Sequence, residues 1–480
     1  MKIPRAPVRP SWIAGCGFAA AALFLLSLFW IGIPGAVVDP DRLARALGKS
    51  ALAPPFEADG IRFLEARLLE RKGEDPLAQG RLARLYLSRF QAAGRIPDLL
   101  QAQSRYESLL RADSSRAEVH SAYAACLLAA HRFPEALAHA RKGLLLSGAD
   151  DKDAGRLPLF DALFATGNYA EAQAQLDTAS RPGVASGLES SGLATRRARL
   201  HAWKGDLAAA QSGLAFAYSE AIAASLPPPV LAWYLSEMGG LADKAGNPRA
   251  ALRKYLAALD RSPGYPAALE GIARLAYAWD GNLEAADRLL ETAVRNGGHA
   301  SLLLDRMRLQ TELGQPEAAQ ALKAAYLKAA TGDPISERLN YRPLAFLLSE
   351  TDSSRSQALQ YAERDLEARR TQEGFDCLAW VLYKRGSVAA AYRNSLSALQ
   401  GSGREPNLLC HAALIAWHAG KERDAASLLD AALKQNGSRF AWKRNSPQGG
   451  KGLGESGGIE GVPVPSARVA ELLAFHTHGP

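Results

Sequence analysis

The stretch FDCLAWVLYKRGSVAAAYRNSLSAL, residues 375–399, reads as two helices around a turn. Its first half places Leu378, Ala379, Val381 and Leu382 at the spacing of one apolar helical face. Arg385-Gly386-Ser387 supplies the turn, and Ala390, Ala391, Leu396, Ala398 and Leu399 return on a second helix. Neither helix can bury its apolar face alone, so the unit gains stability by stacking on copies of itself.

Those copies are present. With Gly386 and Ala391 as a ruler, Gly-x-x-x-x-Ala recurs at Gly167/Ala172, Gly205/Ala210, Gly246/Ala251, Gly281/Ala286, Gly314/Ala319 and Gly420/Ala425. Seven residues after these alanines stands a second alanine, at Ala179, Ala217, Ala258, Ala293, Ala398 and Ala432, with Tyr326 in the remaining copy. Seven residues make two helical turns, so both small residues face the same neighbour and let another helix approach closely. Weaker copies without the glycine fit at Ala102, Ala136 and Ala358, and successive alanine-to-alanine intervals run from 33 to 41 residues.

A period near 34 with a small residue in the first helix, Gly at the turn, Ala twice in the second helix and Pro after it resembles the tetratricopeptide repeat family. The fullest match spans residues 231–263, with Gly239, Gly246, Ala251, Tyr255, Ala258 and Pro263 in the family's positions. The resemblance covers residues 57–440 and implies an all-α fold, a right-handed α-solenoid of about ten helix pairs. Three departures stand out: an extra residue in Trp279-Asp280-Gly281, a degenerate copy over residues 331–357, and Lys323 with Tyr326 where apolar and small residues are usual. The last predicts looser packing. Longer loops over residues 92–97 and 180–192 predict kinks.

In the family, first-helix residues just after the small position line a concave groove that binds proteins or peptides. By register that role falls on Arg199, Trp203, Arg274, Tyr277, Trp380, Tyr383, Lys384, Trp417 and His418. Their aromatic and cationic mixture suits an extended acidic or aromatic peptide, with Trp203 and Trp380 read alternatively as inter-repeat core.

Residues 12–33, WIAGCGFAAAALFLLSLFWIGI, lie inside a run without charge between Arg9 and Asp39 and are long enough to cross a bilayer. Lys2, Arg5 and Arg9 make residues 1–11 a basic cytoplasmic end, which predicts a single-pass cytoplasmic-membrane anchor of bacterial type with the bulk of the chain extracytoplasmic. A cleaved signal sequence is the alternative. Residues 34–56 form a linker ended by Pro54-Pro55, and residues 441–480 a Gly/Pro-rich tail expected to be mostly disordered.

The 480 residues carry 57 basic and 49 acidic side chains spread along the chain, a pattern of solvated surface that speaks against nucleic-acid binding. Cys126, Cys377 and Cys410 fall within apolar helical patterns, Cys16 lies in the N-terminal apolar run, and no CxxC spacing occurs, so packing is expected rather than a disulfide or metal framework. His411 and His418 are two turns apart on one helix, too far to share an ion without a third element. His476 and His478 sit in the tail, and Asp376, Glu422 and Asp424 read as helix-surface charges. No catalytic, cofactor or metal motif stands out, so the expected function is a membrane-anchored scaffold for a protein or peptide partner and not an enzyme. A structural subunit of an envelope assembly or secretion complex is the alternative, and a repeat domain of an enzyme a remote second.

Overall fold

The computed structural model describes residues 36–48, 58–148, 152–179, 188–401 and 405–441, and among them the regular structure is helical. A short helix α1 (Pro40–Gly48) and a single helix α2 (Ala58–Glu70) precede the repeated body. Helices then pair antiparallel: α3 (Pro76–Ala93) with α4 (Ile96–Ala112), α5 (Ala117–Ala129) with α6 (Phe133–Leu146), and α7 (Lys152–Ala165) with α8 (Tyr169–Ala179). The series continues with α9 (Leu188–Trp203) on α10 (Leu207–Ala223), α11 (Pro228–Lys244) on α12 (Pro248–Arg261), α13 (Pro266–Ala278) on α14 (Leu283–Arg295), and α15 (Leu302–Glu312) on α16 (Pro316–Thr331). After a one-turn helix α17 (Pro334–Leu339) come α18 (Tyr341–Ser349) with α19 (Arg355–Ala368), α20 (Gln372–Lys384) with α21 (Val388–Ala398), and α22 (Pro406–His418) with α23 (Glu422–Ala441).

The turn and packing residues behave as their chemistry requires. All seven ruler glycines have positive φ, from +64° at Gly281 to +85° at Gly167, the conformation that ends a helix at little cost only for glycine. Asp206, Asn247 and Asn282 then accept a backbone N–H from the start of the second helix. The paired alanines are buried in every copy. Helices approach closely at Tyr255, whose ring lies where a Cβ on Gly239 or Gly271 would meet it at 2.7 and 2.3 Å. Tyr326, expected to loosen its repeat, is instead fully buried with its hydroxyl toward Asn340. A ring fills the space that two small residues share elsewhere. In the loops, α9 starts at Leu188, inside the expected loop 180–192, whose residues 180–187 lie outside the described residues.

First helices form the inner layer. Successive first helices touch (α3 with α5, α5 with α7, α7 with α9, α11 with α13, α18 with α20, α20 with α22), whereas successive second helices make no comparable contact among the described residues. In a curved two-layer stack the layer whose members touch lies on the concave side.

The curvature completes a circuit. Turns within the early pairs meet loops between the late pairs: the Arg370 amide donates to the Thr166 carbonyl at 3.2 Å, and a Cβ on Gly167 would stand 2.2 Å from the Arg370 carbonyl. Upstream along this seam, Gly297 packs against the Ala93 carbonyl, and Ile335 of α17 joins the core built by α2 to α6. Arg369 lies over the Phe133 ring at 4.8 Å, with His131 beside it. Downstream, Gly401 abuts the Trp203 ring, and Lys244 pairs with Glu405 at 2.9 Å. At the next turn in the series residues 36–48 pack, and among the described residues no late loop reaches it. The amides of Val37 and Val38 both donate to Asp280 at 2.7 Å across 243 and 242 residues, and Val38 and Ala46 are buried in the largest core cluster.

The single-pass inner-membrane placement expected from residues 12–33 is corrected here. Among the described residues no helix is long and apolar enough to cross a membrane, so a single-pass inner-membrane protein is not supported. Residues 12–33 themselves lie outside the described residues, as do the basic end, residues 34–35 and 49–56 of the linker, Cys16 and the tail from residue 442 with His476 and His478.

Two consequences can be measured. Gly386 has positive φ and nothing within 4 Å of an added Cβ, so Gly386→Ala should cost about 1 kcal/mol from backbone strain alone. Gly167→Ala adds a clash with the seam, so it should lower the melting temperature further and speed hydrogen exchange at the Arg370 amide, which Gly386→Ala leaves unchanged. The second concerns acid. Burial, then the neighbouring Arg369, pulls His131 down from 6.5 to about 4. Below pH 6.5 the unfolded chain takes up the proton and the seam does not, so this stabilisation, complete above 6.5, is lost as pH falls toward 4. Arg370 amide protection should fall over that window, and His131→Asn should flatten the dependence.

Candidate functional site

The inner layer carries polar contacts that recur at the repeat period. Arg196 donates to Asp161, Tyr277 to Glu312 at 2.8 Å and Lys384 to Glu350 at 2.8 Å, while His411 meets Asp376 at 2.9 Å and Tyr383 approaches His418 at 3.4 Å. Partners lie 34 or 35 residues apart in every case, so each contact bridges one first helix to the next. Equivalent positions on stacked first helices fall side by side, and paired polar residue types in that column satisfy each other along the groove.

Of the nine residues expected to meet a partner, seven reach or border the inner surface. Arg199 is exposed, 3.8 Å from Asp161 and over the Phe164 ring at 4.5 Å. Arg274 stands 3.9 Å from Asp243 and 3.8 Å from Glu270, too far for hydrogen bonds. Tyr277, Tyr383, Lys384, Trp417 and His418 are half-buried or exposed. The other two, Trp203 and Trp380, go elsewhere. Trp380 is fully buried against Ala413, Leu414 and Leu429, so it belongs to the core that joins α20 to α22. Trp203 stacks on Tyr169 at 4.3 Å and faces Gly401, which makes it a seam residue.

The cations expected to meet an acidic or aromatic peptide do not stand alone. Lys384 is already held by Glu350 and lies over Trp380, and the arginines keep carboxylates within ion-pair range. Sequence reasoning chose the cations and missed Glu237, Glu270, Asp305, Glu312 and Glu350. Reading charges down the 34-residue column, as with Glu350 and Lys384, was the signal that could have found some of them.

The charged groups of the inner layer are shifted mainly by their protein surroundings. Arg274, Asp305 and Arg308 are 41, 44 and 37% exposed, yet burial is the first influence on each. These side chains are partly exposed and have many protein neighbours. Burial raises Glu237 and Asp305 above the usual carboxylate range despite nearby arginines, and lowers Arg308. Around Arg274 burial opposes the charge, but Glu270, Tyr255, Asp243 and Asp305 outweigh it and hold the group above its ordinary value.

The chemistry of the remaining candidates is packing. Cys126, Cys377 and Cys410 are fully buried free thiols; burial raises each one, Cys126 and Cys410 to about 12, which suppresses the reactive thiolate. Asp376, expected on the surface, is buried with His411. Among the described residues no group of three or more His, Cys, Asp or Glu side chains is placed to hold a metal ion.

No protein-family model matches the chain, and no curated protein matches it by sequence. Solved structures do match. The human IFIT1 dimer with PPP-AAAA is similar at 15% identity, covering 78% of this chain and 77% of that one, with a TM-score of 0.35. Yeast Tom70 gives 11% identity, 75% and 92% coverage and a TM-score of 0.31. A tetratricopeptide repeat protein from Parabacteroides merdae gives 19% identity, 60% and 98% coverage and a TM-score of 0.31. At such scores the likenesses carry no argument, and the architecture rests on the helix pairs themselves.

Trp380 and Tyr383 separate core from surface. Trp380→Ala should destabilise the chain by about 3–5 kcal/mol, as expected for an emptied ring site. Tyr383→Ala, at a half-buried ring with one long hydrogen bond, should cost about 1 kcal/mol or less. Equilibrium denaturation of the last helix pairs, followed by hydrogen exchange, checks the difference.

Proposed function

We propose that this chain is a non-enzymatic scaffold of about ten tetratricopeptide-type repeats in a right-handed superhelix, and that its concave face holds a protein or peptide partner. The observation that carries this reading is the inner layer: polar and charged side chains aligned repeat after repeat on successive first helices. Folding alone does not need them there, because desolvating charges without full hydrogen bonding costs free energy. Arg274, which makes no hydrogen bond at its 3.8 and 3.9 Å contacts, is free to change partner at small cost. Lys384 is more firmly held and has to exchange Glu350 for a ligand group.

Proximity labelling and affinity capture with the full chain test the proposal, comparing wild type with Arg274→Glu/Lys384→Glu. The expected result is loss of most partners captured by the wild type, with labelling of the convex face unchanged. An identical set of partners from both proteins would remove the concave face from consideration.

A further inference from the structure

We infer that the α5–α6 pair is an acid-operated joint in the circuit: neutral histidines at both of its ends hold it closed, and protonating them frees the pair from the seam while the rest of the solenoid stays folded. Three of the chain's nine histidines, His120, His131 and His139, fall in this one pair. The turn itself departs from the other copies. Five residues before Ala136, the place that Gly386 takes before Ala391, stands His131. Its backbone keeps the left-handed conformation of the turn glycines, with φ +54°, which a residue with a Cβ adopts only at a cost. Such a residue persists where its surroundings over-determine it, and here they belong to the seam. The His131 ring stacks on Phe133 at 5.1 Å, hydrogen-bonds to the Arg338 backbone, and has Arg369, Arg342 and Asp365 as its charged neighbours. Asp365 is already engaged by both arginines, at 2.8 Å each. A proton arriving on His131 therefore meets two guanidinium groups whose counter-ion is taken.

Away from the turn, the same two helices meet through a second device. His120 Nδ1 and His139 Nδ1 are 2.8 Å apart, and His120 Nε2 lies 3.1 Å from the Ser114 carbonyl. A carbonyl only accepts, so His120 carries its hydrogen on Nε2 and offers a bare Nδ1, to which His139 donates its Nδ1–H. This arrangement takes one proton, on His139 Nε2, with the contact intact. A second has to go to His120 Nδ1, and two N–H groups then oppose each other on positive rings whose centroids are 4.9 Å apart. The charges acting on the two rings are Lys142, Arg132 and Glu135, all on α6, and Glu135 is paired with Arg132. From α5 comes the Tyr123 ring at 4.8 Å, its hydroxyl donating to Glu107 of α4 at 2.7 Å, and among the described residues no charge on α7 acts on either histidine. Burial, the first influence on both, lowers them from the ordinary value. Histidines kept neutral by the fold stabilise it fully above about pH 6.5, and that contribution is lost as pH falls through their folded values, so acid works in the same direction at both ends of the pair.

Hydrogen exchange of the full chain from about pH 7.5 to about pH 4.5, corrected for the intrinsic pH dependence of exchange, tests the joint. Protection of the α5 and α6 amides and of the Arg370 amide should fall together by about 10-fold or more, while α11 and α12, which hold no histidine, change by less than about 3-fold. An asparagine side chain can present either N–H or C=O, so His139→Asn suits both states of His120 and should move both losses to lower pH. In the wild type, nitrogen-15 NMR of labelled histidines should show the His120–His139 pair taking one proton with protection intact and the second only as protection is lost. Protection of α5 and α6 that stays flat over this range, or that is lost in step with α11 and α12, overturns the joint. Unaltered pH dependence in His139→Asn, or two charged rings in a still-protected pair, overturns the part assigned to His120 and His139. The wild-type titration decides that part even where His139→Asn does not fold at neutral pH.

Discussion

The close approach of Tyr255 to Gly239 and Gly271 is the constraint on which the rest depends. A ring wedged between two first helices where no Cβ fits sets how near those helices come and how far each pair rotates from the last. The buried alanines impose the same limit in the other copies. A stack with nearly constant steps is a helix of helices, and its curvature follows from the steps rather than from any global contact. Here they bring the Thr166 turn back under the Arg370 loop one circuit later. The long-range seam is thus a consequence of local small residues.

This explains what the sequence made legible. Gly386, Ala391 and Ala398 recur at one period, so helix pairs, turn conformation and buried alanines could be read directly, and the coordinates agree with them. The seam has no period. Gly94, Gly297 and Gly401 look like ordinary loop glycines, and nothing local links Gly401 to Trp203. Register alone put Trp203 and Trp380 in the groove, because a first-helix position specifies an angle on the helix but not what covers it. For Trp380 the cover is the next repeat, and for Trp203 it is the next circuit. Residues 12–33 illustrate another limit: apolar length is a statement about a segment, and no described helix matches it.

The same register reasoning left the counter-charges out. Arg274 and Lys384 stand out because cations on an inner face invite an anionic partner. Asp243 reaches Arg274 and Glu350 reaches Lys384 from the preceding repeat, and pairing across the period converts a basic surface into one of mixed sign. A side chain's charge therefore says less about a solenoid's ligand than the sum down its column. Burial sharpens the distinction, since Glu237 and Asp305 are enclosed without full compensation whereas Asp365 is held below the usual range by Arg342 and Arg369 despite its burial.

Closure also alters how such a chain distributes its stability. In an open repeat stack each pair feels only its neighbours, so local damage stays local and ends fray independently. The seam couples pairs a full circuit apart: loosening α19 and α20 removes the partner of the α5 and α7 turns, and loosening residues 36–48 exposes Asp280 and part of the core around α14. Such coupling makes opening more cooperative than the period implies. It also gives the inner face a fixed bore, since widening it means breaking backbone-level contacts along the seam rather than stretching a spring. A partner that fits this bore meets a preorganised wall and loses little free energy to reshaping it.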